Sequence, residues 1–217
     1  MTGWAFEDRV SAGRALADRL SDYRGTDAVV TALPRGGVPV AAEIALALDL
    51  PLTLTLVRKV GLPGHPELAA AAIAGPRGEH LIENPEVIRA AGLDAADLDA
   101  LAARQREELR RRANLYLGGR ADVPVAGRTV LVVDDGLATG ATMSAAVAAL
   151  KAAGAGRVVV AVPVGAEDTV ARLRAQADDV ICLVTPHPFY AVGAHYRAFP
   201  QVSDDEVVRL LDAAAGS

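Results

Sequence analysis

Residues 130–133 of the 217-residue chain, Val-Leu-Val-Val, form an apolar, mostly β-branched run with no polar break, and Asp134 and Asp135 end it. A strand with one wet face alternates apolar and polar residues. An unbroken run is how a strand buried on both faces of a parallel sheet reads. Similar runs stand at 28–33, 157–162 and 180–184, and 51–57 alternates Leu with Thr. Between them lie segments of helical period: 7–23, 40–48, 141–153 and 167–177. Strands alternating with helices predict an α/β fold, a mainly parallel sheet of about five strands with helices on both faces.

The residues just after the acidic pair narrow the chemistry. Gly136, Ala138, Gly140 and Ala141 are small enough for the backbone to approach a ligand closely, and Thr139 and Thr142 can add hydroxyl donors. The free N–H groups of a helix N-terminus, backed by its dipole, attract a phosphate. Two carboxylates would repel that phosphate, but they suit a vicinal diol, whose hydroxyls donate to them, or a magnesium ion. The stretch therefore reads as an anion cradle beside a diol reader, the requirements of a ribose 5-phosphate, at the carboxyl end of a strand.

Composition excludes several classes. With 22 basic and 27 acidic side chains the net charge is −5, without the basic excess of a nucleic-acid binder. The basic residues of 104–112 are interleaved with Glu107 and Glu108 and read as a solvated helix face. Cys182 is the sole cysteine and stands in an apolar run, so it is expected to be a small buried side chain, with no disulfide framework. That usage fits a reducing compartment. No segment has the apolar length of a membrane span, and the first nine residues lack the pattern of a signal peptide, so a cytoplasmic location is expected.

A single domain is expected, with its core at about 7–60 and 127–185. Residues 57–67, with their glycines, prolines and His65, read as an exposed loop after the second strand. Residues 68–73 and 80–83 suggest a hairpin, which Asn84-Pro85 breaks. Asp94 caps a long helix to about Tyr116, with Leu98, Leu101, Leu109 and Leu115 inward, and Gly118-Gly119 stops it. The insertion at about 61–116 is expected to form a hood or lid. The C-terminal segment, 186–217, ends in an amphipathic helix at 203–214.

From Val132 to Thr142 the chain resembles the phosphoribosyl-pyrophosphate (PRPP) motif of the type I phosphoribosyltransferases, in the form with Ala before Thr-Gly seen in adenine phosphoribosyltransferases. The resemblance implies that Asp134 and Asp135 hold the ribose hydroxyls, directly or through Mg2+ as cofactor. It implies that Gly136, Ala138, Thr139, Gly140, Ala141 and Thr142 belong to the PRPP site, residues 138–142 cradling the 5-phosphate. Pro34-Arg35-Gly36-Gly37, the turn after the first strand, stands where the family carries its pyrophosphate loop, often with a non-proline cis peptide, expected here at Arg35-Gly36. Val57-Arg58-Lys59, with Leu62-Pro63-Gly64 after it, resembles the start of the mobile catalytic loop. Arg35, Gly36, Gly37, Arg58 and Lys59 would then meet the pyrophosphate, Lys59 and Arg35 stabilising its charge. His65 and Glu67 are weaker candidates of the same loop.

Phe189-Tyr190-Ala191-Val192-Gly193 resembles the segment of hypoxanthine-guanine phosphoribosyltransferases whose aromatic ring stacks on the purine. Two departures withhold the base. Those enzymes have an aspartate where Ala138 stands, and another where this chain has His195-Tyr196-Arg197. The implied partners are PRPP and a nucleobase-like molecule, with no nucleic acid and no membrane, and a homodimer as a possible assembly. Purine salvage is the expected setting. Two rivals stay open. One is a PRPP-binding regulator of the same fold without transferase activity. The other is a flavodoxin-like or receiver-type protein with Asp134 or Asp135 as phosphoacceptor.

Overall fold

The computed structural model describes residues 4–77 and 79–215, with the backbone alone at 66 and 67. Residues 1–3, within the stretch expected to lack a signal peptide, and Gly78, between the two runs expected to form a hairpin, lie outside the described residues. Strands β1 (Val29–Ala32), β2 (Leu52–Leu54), β6 (Thr129–Val133), β7 (Arg157–Val164) and β8 (Asp179–Val184) form a parallel sheet in the order β2-β1-β6-β7-β8. Chain order reverses between β1 and β6. The carboxyl ends of these two strands are the switch point of the sheet, the place where ligands bind in open α/β sheets. Receiver-type proteins share this order, so the topology alone does not separate the rival readings.

Each central strand feeds two cores. Leu131 and Val133 of β6 join Leu16 of α1 (Arg9–Arg19) and Ile44 and Leu48 of α2 (Gly37–Leu48) on one face. Val130 and Val132 join Met143 and Leu150 of α5 (Ala141–Ala152) and Leu173 of α6 (Glu167–Arg174) on the other. These four β6 residues are fully buried, the state an unbroken apolar run demands.

The hood departs from expectation. Residues 51–57 are not one strand. β2 ends at Leu54, and β3 (Leu56–Leu62) belongs to a separate antiparallel sheet with β4 (His65–Gly75) and β5 (His80–Glu83). Thr55 is the hinge. Its N–H still bonds to Ala32 O of β1 at 3.0 Å, and its hydroxyl pairs with that of Thr31 at 2.9 Å. The expected exposed loop at 57–67 is mostly the β3–β4 hairpin, whose Leu62↔His65 pairing closes on Pro63-Gly64. Register shifts around Gly61 absorb the residues that read as breakers.

Asn84-Pro85 starts a helix instead of only breaking a strand. Asn84 caps α3 (Pro85–Ala91), with Pro85 in its first turn, where its missing N–H costs nothing. Asp94 and Asp97 form a capping box on α4 (Ala95–Leu117). Leu98 and Leu109 are buried, but Leu115 is exposed and Tyr116 takes the inward position at the end of the stripe. β7 runs two residues beyond its expected end at Val162, through Pro163 to Val164. Its pairing with β6 ends at Ala161, so the absent proline N–H has no ladder partner to fail there. Helix α7 (Asp204–Ala215) closes the chain, burying Val207 and Leu211. Among the described residues no helix is long and apolar enough to cross a membrane.

Thr31 and Thr55 are buried, and each hydroxyl depends on the other. Thr55→Val should cost about 1–3 kcal/mol by leaving Thr31 unpaired, while the double change to valine recovers most of it. Urea unfolding of the single and double variants measures both.

Candidate functional site at the sheet switch point

Two loops meet where β1 and β6 end. The first runs from Pro34 to α2. Its cis peptide bond joins Pro34 to Arg35 and not, as expected, Arg35 to Gly36. The non-proline cis bond thus falls one residue earlier in the same turn. The second loop is Asp134 to Gly140. The loops touch through Gly36 and Gly37. A Cβ on Gly36 would fall 2.0 Å from Asp135 Oδ2, and one on Gly37 would fall 2.7 Å from Val133 O and 2.9 Å from the Asp134 Cα. Only hydrogen fits at either position.

The acidic pair is built on its own backbone. The Asp135 N–H donates to Asp134 Oδ1 at 2.9 Å. Burial, then the neighbouring Asp135 charge, pushes the Asp134 carboxyl well above the usual carboxylate range. Burial also raises Asp135, against the pull of a cation absent from the sequence reading, Arg9. Arg9 Nε donates to Asp135 Oδ2 at 2.8 Å, one terminal nitrogen donates to Pro200 O at 2.7 Å, and the guanidinium lies 3.7 Å from the centre of the Phe199 ring. Tyr196 adds its hydroxyl to Asp135 O at 2.6 Å. Its own pKa is driven far upward, by burial first and then by the Asp135 charge.

The rest of the second loop is an anion cradle. Gly140 has φ +73°, the left-handed region, and a Cβ there would meet the Thr169 methyl at 2.5 Å. The loop carbonyls are drawn back onto α6. Thr169 Oγ1 donates to Ala138 O at 2.7 Å, and Arg172 donates to Thr139 O at 2.9 Å. The N–H groups of residues 138–143 carry no hydrogen bond among the described residues. Ala138, Thr139, Ala141 and Thr142 are exposed. A row of unpaired N–H groups leading into a 12-residue helix is a ready anion site.

The remaining candidates lie further out. Arg35 reaches Asp204 Oδ1 of α7 at 3.4 Å, and the same oxygen accepts the Tyr116 hydroxyl of α4 at 2.5 Å. Burial, then that bond, raises the Tyr116 hydroxyl to about 12. Arg58 and Lys59 are consecutive on β3, so their side chains leave on opposite faces. Arg58 Nε donates to Gln105 of α4 at 3.2 Å, whereas Lys59 is exposed. The structure thus does not bring the two together at one anion. His65 is exposed at the start of β4, and the side chain of Glu67 lies outside the described residues. Tyr190 is 83% exposed, while Phe189 is partly buried and stacked on His195 with ring centroids 5.5 Å apart. Both ride on a strap, residues 189–200, whose Val192 rests against Gly136.

Arg9, Tyr196, Phe199, Asp204, Thr169 and Arg172 escaped the sequence reading. For Arg9 a signal existed. It lies three, four and seven residues before Ala12, Gly13 and Leu16, on the apolar stripe of α1, where an unpartnered charge does not belong. The others are linked to the loops only through the fold.

An open α/β sheet with a row of unpaired N–H groups and a carboxylate pair at its switch point has the donors and acceptors that a sugar phosphate requires. The phosphoribosyl transferase domain model matches residues 7–198, and the chain belongs to that family. It is 52% identical over 209 residues to provisionally named phosphoribosyl transferases from two strains of Mycobacterium tuberculosis. That match covers 96% of this chain but 47% of the relatives, so the chain spans about half their length. The crystal structure of TT1426 from Thermus thermophilus superposes with a TM-score of 0.85 at 45% identity, covering 95% of this chain and 97% of that one.

Gly36→Ala should push the Asp135 carboxylate off Arg9 and cost about 1–3 kcal/mol, since the clash is with a partly buried group that has little room to move. Urea unfolding against the parent chain tests it.

Proposed function

We propose that the protein transfers the ribose 5-phosphate group of PRPP to a nitrogen of a nucleobase-like acceptor and releases pyrophosphate. The observation that carries this reading is the row of unpaired N–H groups at 138–143 set directly after the Asp134–Asp135 pair. A phosphate cradle and a diol reader at one loop fit a pentose phosphate better than either fits a phosphoacceptor site. The acceptor nitrogen forms a bond to the anomeric carbon as the bond from that carbon to the pyrophosphate oxygen breaks, and the acceptor loses its proton. Asp134 and Asp135 take the ribose hydroxyls, and residues 138–142 take the 5-phosphate. Arg35, on releasing Asp204, would meet the pyrophosphate together with the N–H groups around Gly36 and Gly37. Catalysis then rests on positioning and on stabilising the charge of the leaving group.

The donor set suits Mg2+. Two adjacent carboxylates, with no third ligating side chain grouped with them among the described residues, match an ion that keeps waters and arrives with substrate phosphates. When bound, the ion would neutralise pyrophosphate charge. Asp134 and Asp135 would hold it, directly or through water. Phe189 and Tyr190 are the proposed platform for the acceptor ring, Tyr190 by its free face.

A PRPP-binding regulator is the second reading. One observation favours it: Lys59 stands on a regular hood strand instead of on a loop free to close over the pyrophosphate. Changing Asp134 and Asp135 together to asparagine should abolish PRPP-dependent pyrophosphate release with the circular dichroism spectrum unchanged. Full release by that variant would refute the transfer mechanism. Calorimetric PRPP binding by the parent chain, with no release across a panel of bases, would establish the regulator.

A further inference from the structure

Arg9 is 8% exposed, on a helix stripe otherwise filled by Ala12, Gly13, Leu16 and Ala17. An apolar side chain of similar length would suit that stripe with no charge to compensate. A guanidinium supplies something else, a planar fork and a flat face that engage several partners at once. Here it engages three. Its Nε is 2.8 Å from Asp135 Oδ2, a terminal nitrogen is 2.7 Å from Pro200 O, and its face covers the Phe199 ring at 3.7 Å.

Asp135 is therefore held from three sides. Arg9 takes Oδ2, Tyr196 takes the main-chain oxygen, and the backbone of Gly36 closes against the carboxylate. Oδ1 stays outside the ion pair, beside an Asp134 carboxylate whose own Oδ1 is occupied by the Asp135 N–H. The strap that Arg9 grips, and that carries Tyr196, pairs with the segment leading into α1. Arg197 N–H bonds to Phe6 O at 2.9 Å, and Ala198 N–H bonds to Glu7 O at 2.8 Å. One side chain thus joins the start of α1, the strap and the loop that reads the sugar.

We propose that Arg9 is a positioning residue for the sugar hydroxyls: it holds the Asp135 carboxylate in the orientation that reads them and fastens that carboxylate to the strap. This rests on the proposed donor site. Arg9 does not touch the sugar. It fixes the direction of an acceptor that does, so its removal degrades discrimination between a sugar with the 2-hydroxyl and one without, and spares the phosphate cradle, which α6 holds independently through Thr169 and Arg172.

Calorimetric titration of the full chain with ribose 5-phosphate, 2-deoxyribose 5-phosphate and inorganic phosphate tests this. The parent chain should prefer the ribose by about tenfold or more, the worth of one hydrogen bond to a charged acceptor. Arg9→Met should bring the preference to about threefold or less, with phosphate affinity within about twofold of the parent. Arg9→Lys, which keeps the charge and loses the fork, should fall between. If Arg9→Met does not fold, Arg9→Lys decides on the same ratio. An unchanged preference, or equal losses for both sugars and phosphate, overturns the proposal, the second result marking Arg9 as a fold contact only. A parent chain that binds ribose 5-phosphate without preferring it also overturns the proposal but leaves the phosphate cradle standing. A parent chain that binds neither sugar phosphate nor PRPP overturns the donor site itself.

Discussion

The close approach of two loops at Gly36 and Gly37 governs everything at the crevice. β1 and β6 are neighbours in the sheet, so the loops leaving them must diverge or collide. Here they run together. The Asp135 carboxylate lies where a Gly36 side chain would be, and the Asp134 backbone lies where a Gly37 side chain would be. Contact at this distance puts the carboxylates beside the turn that carries Arg35. It also forces a negative pair into a confined space, and Arg9 supplies the compensating cation there.

The arrangement separates two electrostatic tasks by a few residues of chain. Asp134 and Asp135 sit at the strand end, partly buried and repelling one another. The exposed positions beyond them present N–H groups and the helix dipole. A ligand with hydroxyls at one end and a phosphate at the other satisfies both, whereas a simple anion satisfies only the second. The family assignment does not specify the acceptor: the strap carries an exposed Tyr190 and, five residues further on, His195 and no aspartate.

Much of this was legible in the sequence because it is local. The run 130–133, the acidic pair and the glycine-threonine turn are contiguous, so strand, loop and helix could be read together. The apolar runs of the other parallel strands were equally plain. Three errors came from neighbours the sequence does not display. The strand at 51–57 breaks at Thr55 because β1 holds one half and the hood takes the other. Pro163 fails to end β7 because its neighbour on one side has already stopped. Residues 57–67 pair with a strand where their glycines and prolines suggested none. Arg9 shows the remaining limit. Its partner Asp135 lies 126 positions away, and only its place on an apolar stripe marked it as unusual.

Thr169 and Arg172 occupy the carbonyls of Ala138 and Thr139, which gives the loop a fixed polarity. A peptide unit that rotated to offer its oxygen to the crevice would have to abandon a bond to α6. The loop therefore behaves as a rectifier. It would meet the proposed phosphate without rearrangement and would resist the flip that lets it accept a cation or a donor. That preference in charge would be set by the helix behind the loop.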